Sequence, residues 1–236
     1  MTAIRAQLLD MLKAVATALG DDLRDRLVFV GGCTTALFIT DPITLEDVRA
    51  TDDIDLIVDL AGHAEWAALQ DDLRQRGFME AADEAVICRM RLGPLKVDFM
   101  LDDETILGFS NRWYAAGIET AVTSTLDAGL EIRILTPAIF VATKLEAFAG
   151  RGQNDLFMSR DAEDILLIVD GRPELVEEIA AAPAEVRVFI SQGFRDFLGH
   201  PDFDDFLDGN LRQQGRAAVV KKRFVAIGKH DGDNAD

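Results

Sequence analysis

Apolar residues recur along this chain in two rhythms, one of three to four residues and one of two. Ile4, Leu8, Leu12, Val15 and Leu19 follow the longer rhythm, which predicts an amphipathic helix over 2–19 closed by Gly20. Leu27 to Val30 is a short apolar run that predicts a buried strand, leading through Gly31-Gly32 into a helix start at Cys33 to Ile39. Residues 41–48 read as a loop or a helical insert. From Asp53 to Leu60 the rhythm is two. Ile54, Leu56, Val58 and Leu60 share one face of a strand, and Asp53, Asp55, Ile57 and Asp59 share the other. A charged helix over 63–76 ends at Gly77. Two hairpins follow: Ala85–Leu92 with Leu95–Leu101 about Gly93-Pro94, and Thr120–Leu126 with Leu130–Leu135 about the turn at 127–129.

At Thr136-Pro137, an N-cap residue followed by proline at the first helical position, the two-residue rhythm ends. Helices are predicted over 137–149, 161–170, 173–181, 184–197 and 215–227. The fold class is α+β: a mixed sheet with flanking helices over 1–135, then a helical domain over 136–228. The polar residues 229–236 are expected to be a disordered tail.

Composition narrows the partners. Forty-two acidic residues against 24 basic ones give a net charge of −18. A chain so acidic repels nucleic acid and anionic membrane at long range, so any RNA contact requires a local basic patch. Arg212, Arg216, Lys221, Lys222 and Arg223 form the one dense basic run, readable as a solvated helix face or as an RNA contact. The only cysteines, Cys33 and Cys88, make no disulfide framework and are expected to be reduced. Charged residues interrupt the first residues, and no apolar run reaches the roughly 20 residues of a membrane span, so a cytoplasmic protein without membrane contact is expected.

Three features of the first half carry chemistry. Gly31-Gly32 sits between a strand and a helix start, where backbone N–H groups can approach phosphate; glycine also occurs in such turns for steric reasons alone. Asp53 and Asp55 lie on one strand face with Cα atoms about 6.7 Å apart. Two carboxylates at that spacing suit a shared divalent cation or repel each other on an exposed edge. On the strand from Leu95, Asp98 stands with Lys96 and Met100 opposite the apolar Leu95, Val97 and Phe99. If the two strands are neighbours, three carboxylates meet, and hard oxygen donors of this kind hold Mg²⁺ while leaving positions open for phosphate.

Val30-Gly-Gly32, Thr51-Asp-Asp53-Ile-Asp55-Leu and Val97-Asp98-Phe together resemble the polymerase-β-type nucleotidyltransferases. Arg49-x-Thr51-x-Asp53-Ile-Asp55 is similar to the AbiEii/AbiGii-type toxins of type IV toxin–antitoxin systems. So are Lys144-Leu-Glu-Ala-Phe-Ala-Gly-Arg151 and Ser159-Arg160-Asp161-Ala-Glu-Asp164. The resemblance implies a polymerase-β-like core and metal-dependent transfer of a nucleotide, for example from ATP, to an acceptor hydroxyl. Asp53, Asp55 and Asp98 would hold Mg²⁺ or Mn²⁺. Gly31, Gly32, Thr34, Thr35, Lys144 and Arg151 would receive the NTP phosphates. Lys144 and Asp161 would join the catalytic group, with Arg49, Thr51, Arg160 and Asp164 supporting it. It further implies an RNA acceptor, a tRNA 3′ end above all, and a cognate antitoxin protein.

The residues support part of this on their own. Lys144 and Arg151, seven apart, lie on one helix face, as a phosphate-binding pair or as a solvated stripe. Asp161 and Asp164 also suit a helix cap and first turn. Two departures stand out: Cys33 follows the glycines where relatives carry serine, and the insert Thr40–Val48 lengthens the path to Asp53. Two other functions stay open. One is nucleotide transfer to a small molecule such as an antibiotic; the other is a non-catalytic regulator that binds a protein partner. No histidine spacing suits zinc. Phe189, Phe194, Phe197, Phe203 and Phe206 read as helix core.

Overall fold

The computed structural model describes residues 3–60, 62–80, 88–102, 105, 108, 110–151, 155–211, 213 and 215–229, excepting the Arg151 side chain. The predicted tail beyond Lys229, and Arg212 of the basic run, lie outside these residues. The chain falls into two compact units, one of residues 1–37 and 48–136, the other of residues 38–47 and 137–236.

In the first unit, seven strands among the described residues form one mixed sheet: β1 (Val28–Val30), β2 (Asp53–Val58), β3 (Met79–Glu80), β4 (Arg89–Leu92), β5 (Leu95–Leu101), β6 (Val122–Asp127) and β7 (Leu130–Ile134). Their order is β3-β4-β5-β2-β1-β7-β6. Phe29, Ile54, Leu56, Val97 and Phe99 share one face of the central strands and are fully buried, while the other face of β2 and β5 carries Asp53, Asp55 and Asp98. Helices α1 (Ala3–Arg24), α3 (His63–Gln75) and α4 (Tyr114–Glu119) flank the sheet, while α2 (Thr35–Phe38) is the single turn after the glycines. Helix α1 buries Leu8, Leu12, Val15 and Leu19 and packs on β6 and β7. It passes the predicted stop at Gly20 as a kink with φ 68°, and the Arg76 guanidinium donates to the Leu19 carbonyl released there. The short α4 was not foreseen, because six residues are too few to show a helical period.

The second unit contains α5 (Pro137–Arg151), α6 (Arg160–Gly171), α7 (Leu175–Ala180), α8 (Ala184–Gly199), α9 (Phe203–Asn210) and α10 (Arg216–Gly228). Its core is aromatic. Phe194, Phe197 and Phe203 surround Phe224, with ring centroids 4.7, 6.0 and 5.0 Å away. Phe189 is the exception among the five phenylalanines expected in the core, being half-buried at the edge of an apolar cavity of about 170 Å³. That cavity has no lysine or arginine in its lining, so it is not built for phosphate.

Residues 38–47, assigned by sequence to the first domain, belong to the helical unit. The Thr40 and Asp41 amides donate to Gly171 O, and Arg172 Nη1 donates to Phe38 O, each at 2.9 Å. Phe38 lies 4.6 Å from the Phe140 ring. Thr44 Oγ1 donates to the buried Asp170, and Arg216 bridges Asp170, Asp41 and Thr44. The Arg216 guanidinium and the Ile43 amide hold the Asp41 carboxyl below its usual range. Nothing local in the insert reveals these partners, more than 100 residues away.

Candidate metal centre

Strands β2 and β5 are parallel neighbours, and their register sets Asp55 directly beside Asp98. Asp53, two residues back on the same face, completes the group. Each of Asp53, Asp55 and Asp98 offers a carboxylate oxygen, and these oxygens lie within 4.8 Å of one another. Asp98 is buried, whereas Asp53 and Asp55 are half-exposed, so the cluster reaches solvent from one side. Thr51 Oγ1 donates to Asp53 Oδ1 and orients it.

The glycine turn abuts this cluster. Strand β1 is antiparallel to β2, with Val30 opposite Asp55, so the chain leaves the sheet beside that carboxylate. Gly31 has φ +73°, and a Cβ there would lie 1.9 Å from Asp55 Oδ2. The turn and the carboxylate therefore share a space that only glycine leaves open. From Gly32 to Thr34 the backbone forms a 3₁₀ turn that continues into α2. Cys33, at the position of the expected hydroxyl, is buried and directs its thiol to Val30 O at 3.2 Å. Thr34 Oγ1 donates to Gly31 O at 2.9 Å. Thr35 Oγ1 is buried without a hydrogen-bond partner among the described residues. An orphan hydroxyl costs roughly 1–3 kcal/mol, which favours an additional acceptor near the turn.

Sequence reasoning missed one neighbour. Arg89 on β4 lies opposite Asp98 and donates from Nε to Oδ1 and from Nη2 to Oδ2, both at 2.7 Å. The signal was present: a two-residue turn at Gly93-Pro94 pairs 92 with 95 and hence 89 with 98.

Cys88 adjoins the same acids. Its thiol is pushed up to about 12 by burial and then by the charges of Asp98 and Asp55. Both cysteines are buried thiols. Neither is expected to react with iodoacetamide at pH 8 in the native protein, and both are expected to react in urea. Mass spectrometry reads the difference, and native alkylation of Cys88 would contradict its assigned environment.

The lysine motif forms a cluster of its own within the helical unit. Lys144 Nζ on α5 lies 3.1 Å from Asp161 Oδ1 and 2.7 Å from Asp164 Oδ2, both on α6. It also sits 5.7 Å from the centre of the Phe140 ring. All three charged side chains are less than a tenth exposed. Burial pulls the Lys144 pKa down, but the charges of Asp164 and Asp161 outweigh it, so the value lies above the ordinary lysine range. Ser159 supplies the helix cap by accepting from Ala162 N, which leaves Asp161 and Asp164 to face Lys144. Arg160 points to solvent, Arg49 is half-buried ahead of β2, and the Arg151 side chain lies outside the described residues.

The basic run is largely committed elsewhere. Arg216 bridges acids, Arg223 donates to Val169 O and Asp170 O at the end of α6, and Lys221 pairs with Asp204. Lys222 stays exposed.

What the fold and the cluster define together is an α+β chain with a mixed sheet, flanking helices and an acidic triad suited to a cation. No protein-family model matches the chain, and no curated protein matches it in sequence. No helix among the described residues is long and apolar enough to cross a membrane.

Proposed function

We propose that the first unit is a polymerase-β-like nucleotidyltransferase core that transfers a nucleotide from an NTP to an acceptor hydroxyl, releasing pyrophosphate. The observation that carries this reading is the Asp55–Asp98 register, which brings three carboxylates together against the glycine turn. Hard, closely spaced oxygen donors, partly open to solvent, fit a Mg²⁺ or Mn²⁺ ion. Asp53, Asp55 and Asp98 would hold it. When bound, such an ion stabilises charge on a phosphoryl group and activates an oxygen nucleophile. The chain's own residues do the rest. Thr51 keeps Asp53 oriented toward the centre. The backbone from Gly31 to Thr35, with the Thr35 hydroxyl, receives the phosphates. Asp98, the most buried of the three acids, faces the attacking hydroxyl and orients it for in-line displacement. Within the second unit, Asp161 and Asp164 hold Lys144 as a buried ionic cluster.

The resemblance to AbiEii/AbiGii-type toxins makes RNA the acceptor, a tRNA 3′ end above all, and adds a cognate antitoxin as partner. A small-molecule acceptor is the second reading. It is favoured by the net charge of −18 and by the internal commitments of Arg216, Arg223 and Lys221.

The test is incubation with each α-labelled NTP and Mg²⁺, offering total RNA in one arm and small hydroxylated acceptors in the other. Asp55→Asn is expected to lower transfer on the order of 10³-fold, at least the effect of losing one preorganised charge-stabilising group. Its apo form should melt no lower than wild type, because one of three mutually repelling charges is gone. Near-normal transfer by the variant would end the assignment.

A further inference from the structure

The third carboxylate of the cluster is already held. Arg89 grips both Asp98 oxygens, and the two side chains are only 14% and 10% exposed. A bidentate guanidinium takes two of the roughly four lone-pair sites of the carboxylate, one on each oxygen, and its positive charge opposes a cation at the two that remain. Arg89 and a cation therefore cannot both have full use of Asp98.

We propose that Arg89 is an internal counter-ion that competes with the divalent cation for Asp98, a positioning residue that sets how tightly the centre is loaded. This rests on the reading of Asp53, Asp55 and Asp98 as a metal centre. With Arg89 seated, three carboxylates and one guanidinium leave two negative charges, the complement of a single divalent ion. The resting site then offers Asp53 and Asp55, and Asp98 joins as a ligand when Arg89 releases it. Strand pairing makes the competition local. Arg89 and Asp98 are cross-strand partners on a hairpin pinned by a two-residue turn, so the guanidinium stays within reach after release.

An ordinary structural ion pair and a competing counter-ion differ in sign. Removing the former weakens the fold and the site together. Removing the latter weakens the metal-free fold, since Asp98 loses its compensation, while it strengthens cation binding. Arg89→Gln is accordingly expected to melt below wild type without metal. It should bind Mn²⁺ about tenfold more tightly, the scale of one charge-assisted contact, and gain more thermal stability from Mn²⁺. Arg89→Lys, which cannot span both oxygens, should lie between the two. The gain in affinity should vanish in Arg89→Gln/Asp98→Asn.

The experiment is Mn²⁺ titration of the full chain, followed by calorimetry and by the free-ion electron paramagnetic resonance signal, beside melting curves with and without Mn²⁺. If Arg89→Gln does not fold, Arg89→Lys carries the comparison. Unchanged or weaker Mn²⁺ affinity in the folded Arg89 variants overturns the competition. If Asp53→Asn still abolishes wild-type binding in that case, the metal centre stands without it. Failure of every chain to bind Mn²⁺ overturns both. Tighter binding in the variants together with no nucleotide transfer by wild type keeps the counter-ion role and removes the transferase reading.

Discussion

Gly31→Ala is expected to unfold the chain partly or wholly and to abolish cation binding in whatever remains folded. Two costs add at this position. An L-residue at φ 73°, ψ −171°, a conformation essentially confined to glycine, pays roughly 1–3 kcal/mol. The new methyl carbon would lie 1.9 Å from Asp55 Oδ2, so either the turn or the carboxylate must move. The sum is expected to exceed about 4 kcal/mol, at the exceptional end for a single substitution. Gly129→Ala is the control. Gly129 has φ +80° in the β6–β7 turn with nothing within 4 Å, so it carries the backbone cost alone. Urea unfolding of the two variants separates backbone strain from collision. A Gly31→Ala cost no larger than that of Gly129→Ala would mean that the turn and Asp55 are not in contact.

The second large effect is expected from Lys144→Met, which leaves Asp161 and Asp164 buried without their cation. Breaking one side of a buried ionic cluster costs about 3–5 kcal/mol, most of it the stranded charge. Adding Asp164→Asn should recover part of the loss by removing one stranded carboxylate. The pH dependence has a definite sign. A lysine whose pKa is raised on folding contributes its full stabilisation below the unfolded value near 10.5 and loses it as pH rises through the higher folded value. The deficit of Lys144→Met should therefore be constant from pH 7 to about 10 and shrink above that. Urea midpoints across this range provide the check, and a deficit that shrank below pH 10 would contradict the raised pKa.

Legibility in the sequence followed the range of the interactions. Strand β2 was readable because alternation is a local property, and the hairpin about Gly93-Pro94 because a turn and its flanks are adjacent. The meeting of Asp55 with Asp98 was readable only conditionally, since strand order is set by burial across the whole sheet. Arg89 was missed although hairpin register places it opposite Asp98, because an arginine on a short strand fits a solvated face as well as a buried ion pair. Lys144 and Asp164 were visible as a motif, but their burial was not, since exposed and buried ion pairs share one spacing pattern. Arg216 and Arg223 looked like a surface patch because a run of charges does not show which members turn inward. Their partners on α6, Asp170 and Val169, are 46 and 54 positions away, and Arg216 also reaches Asp41, 175 positions away.

The placement of residues 38–47 bears on synthesis. The chain emerges in order, and this stretch is made before any of the helices that hold it. Phe140, Asp170, Gly171, Arg172 and Arg216 complete its surroundings, and Arg216 follows its partner Asp41 by 175 residues. During translation the sheet's strands are all present once β7 has been made, while the decapeptide looping from between β1 and β2 still lacks its cognate helices. A stall or a premature stop after Thr136 would leave Phe38, Ile39 and Thr44, buried in the folded chain, without the helices that cover them.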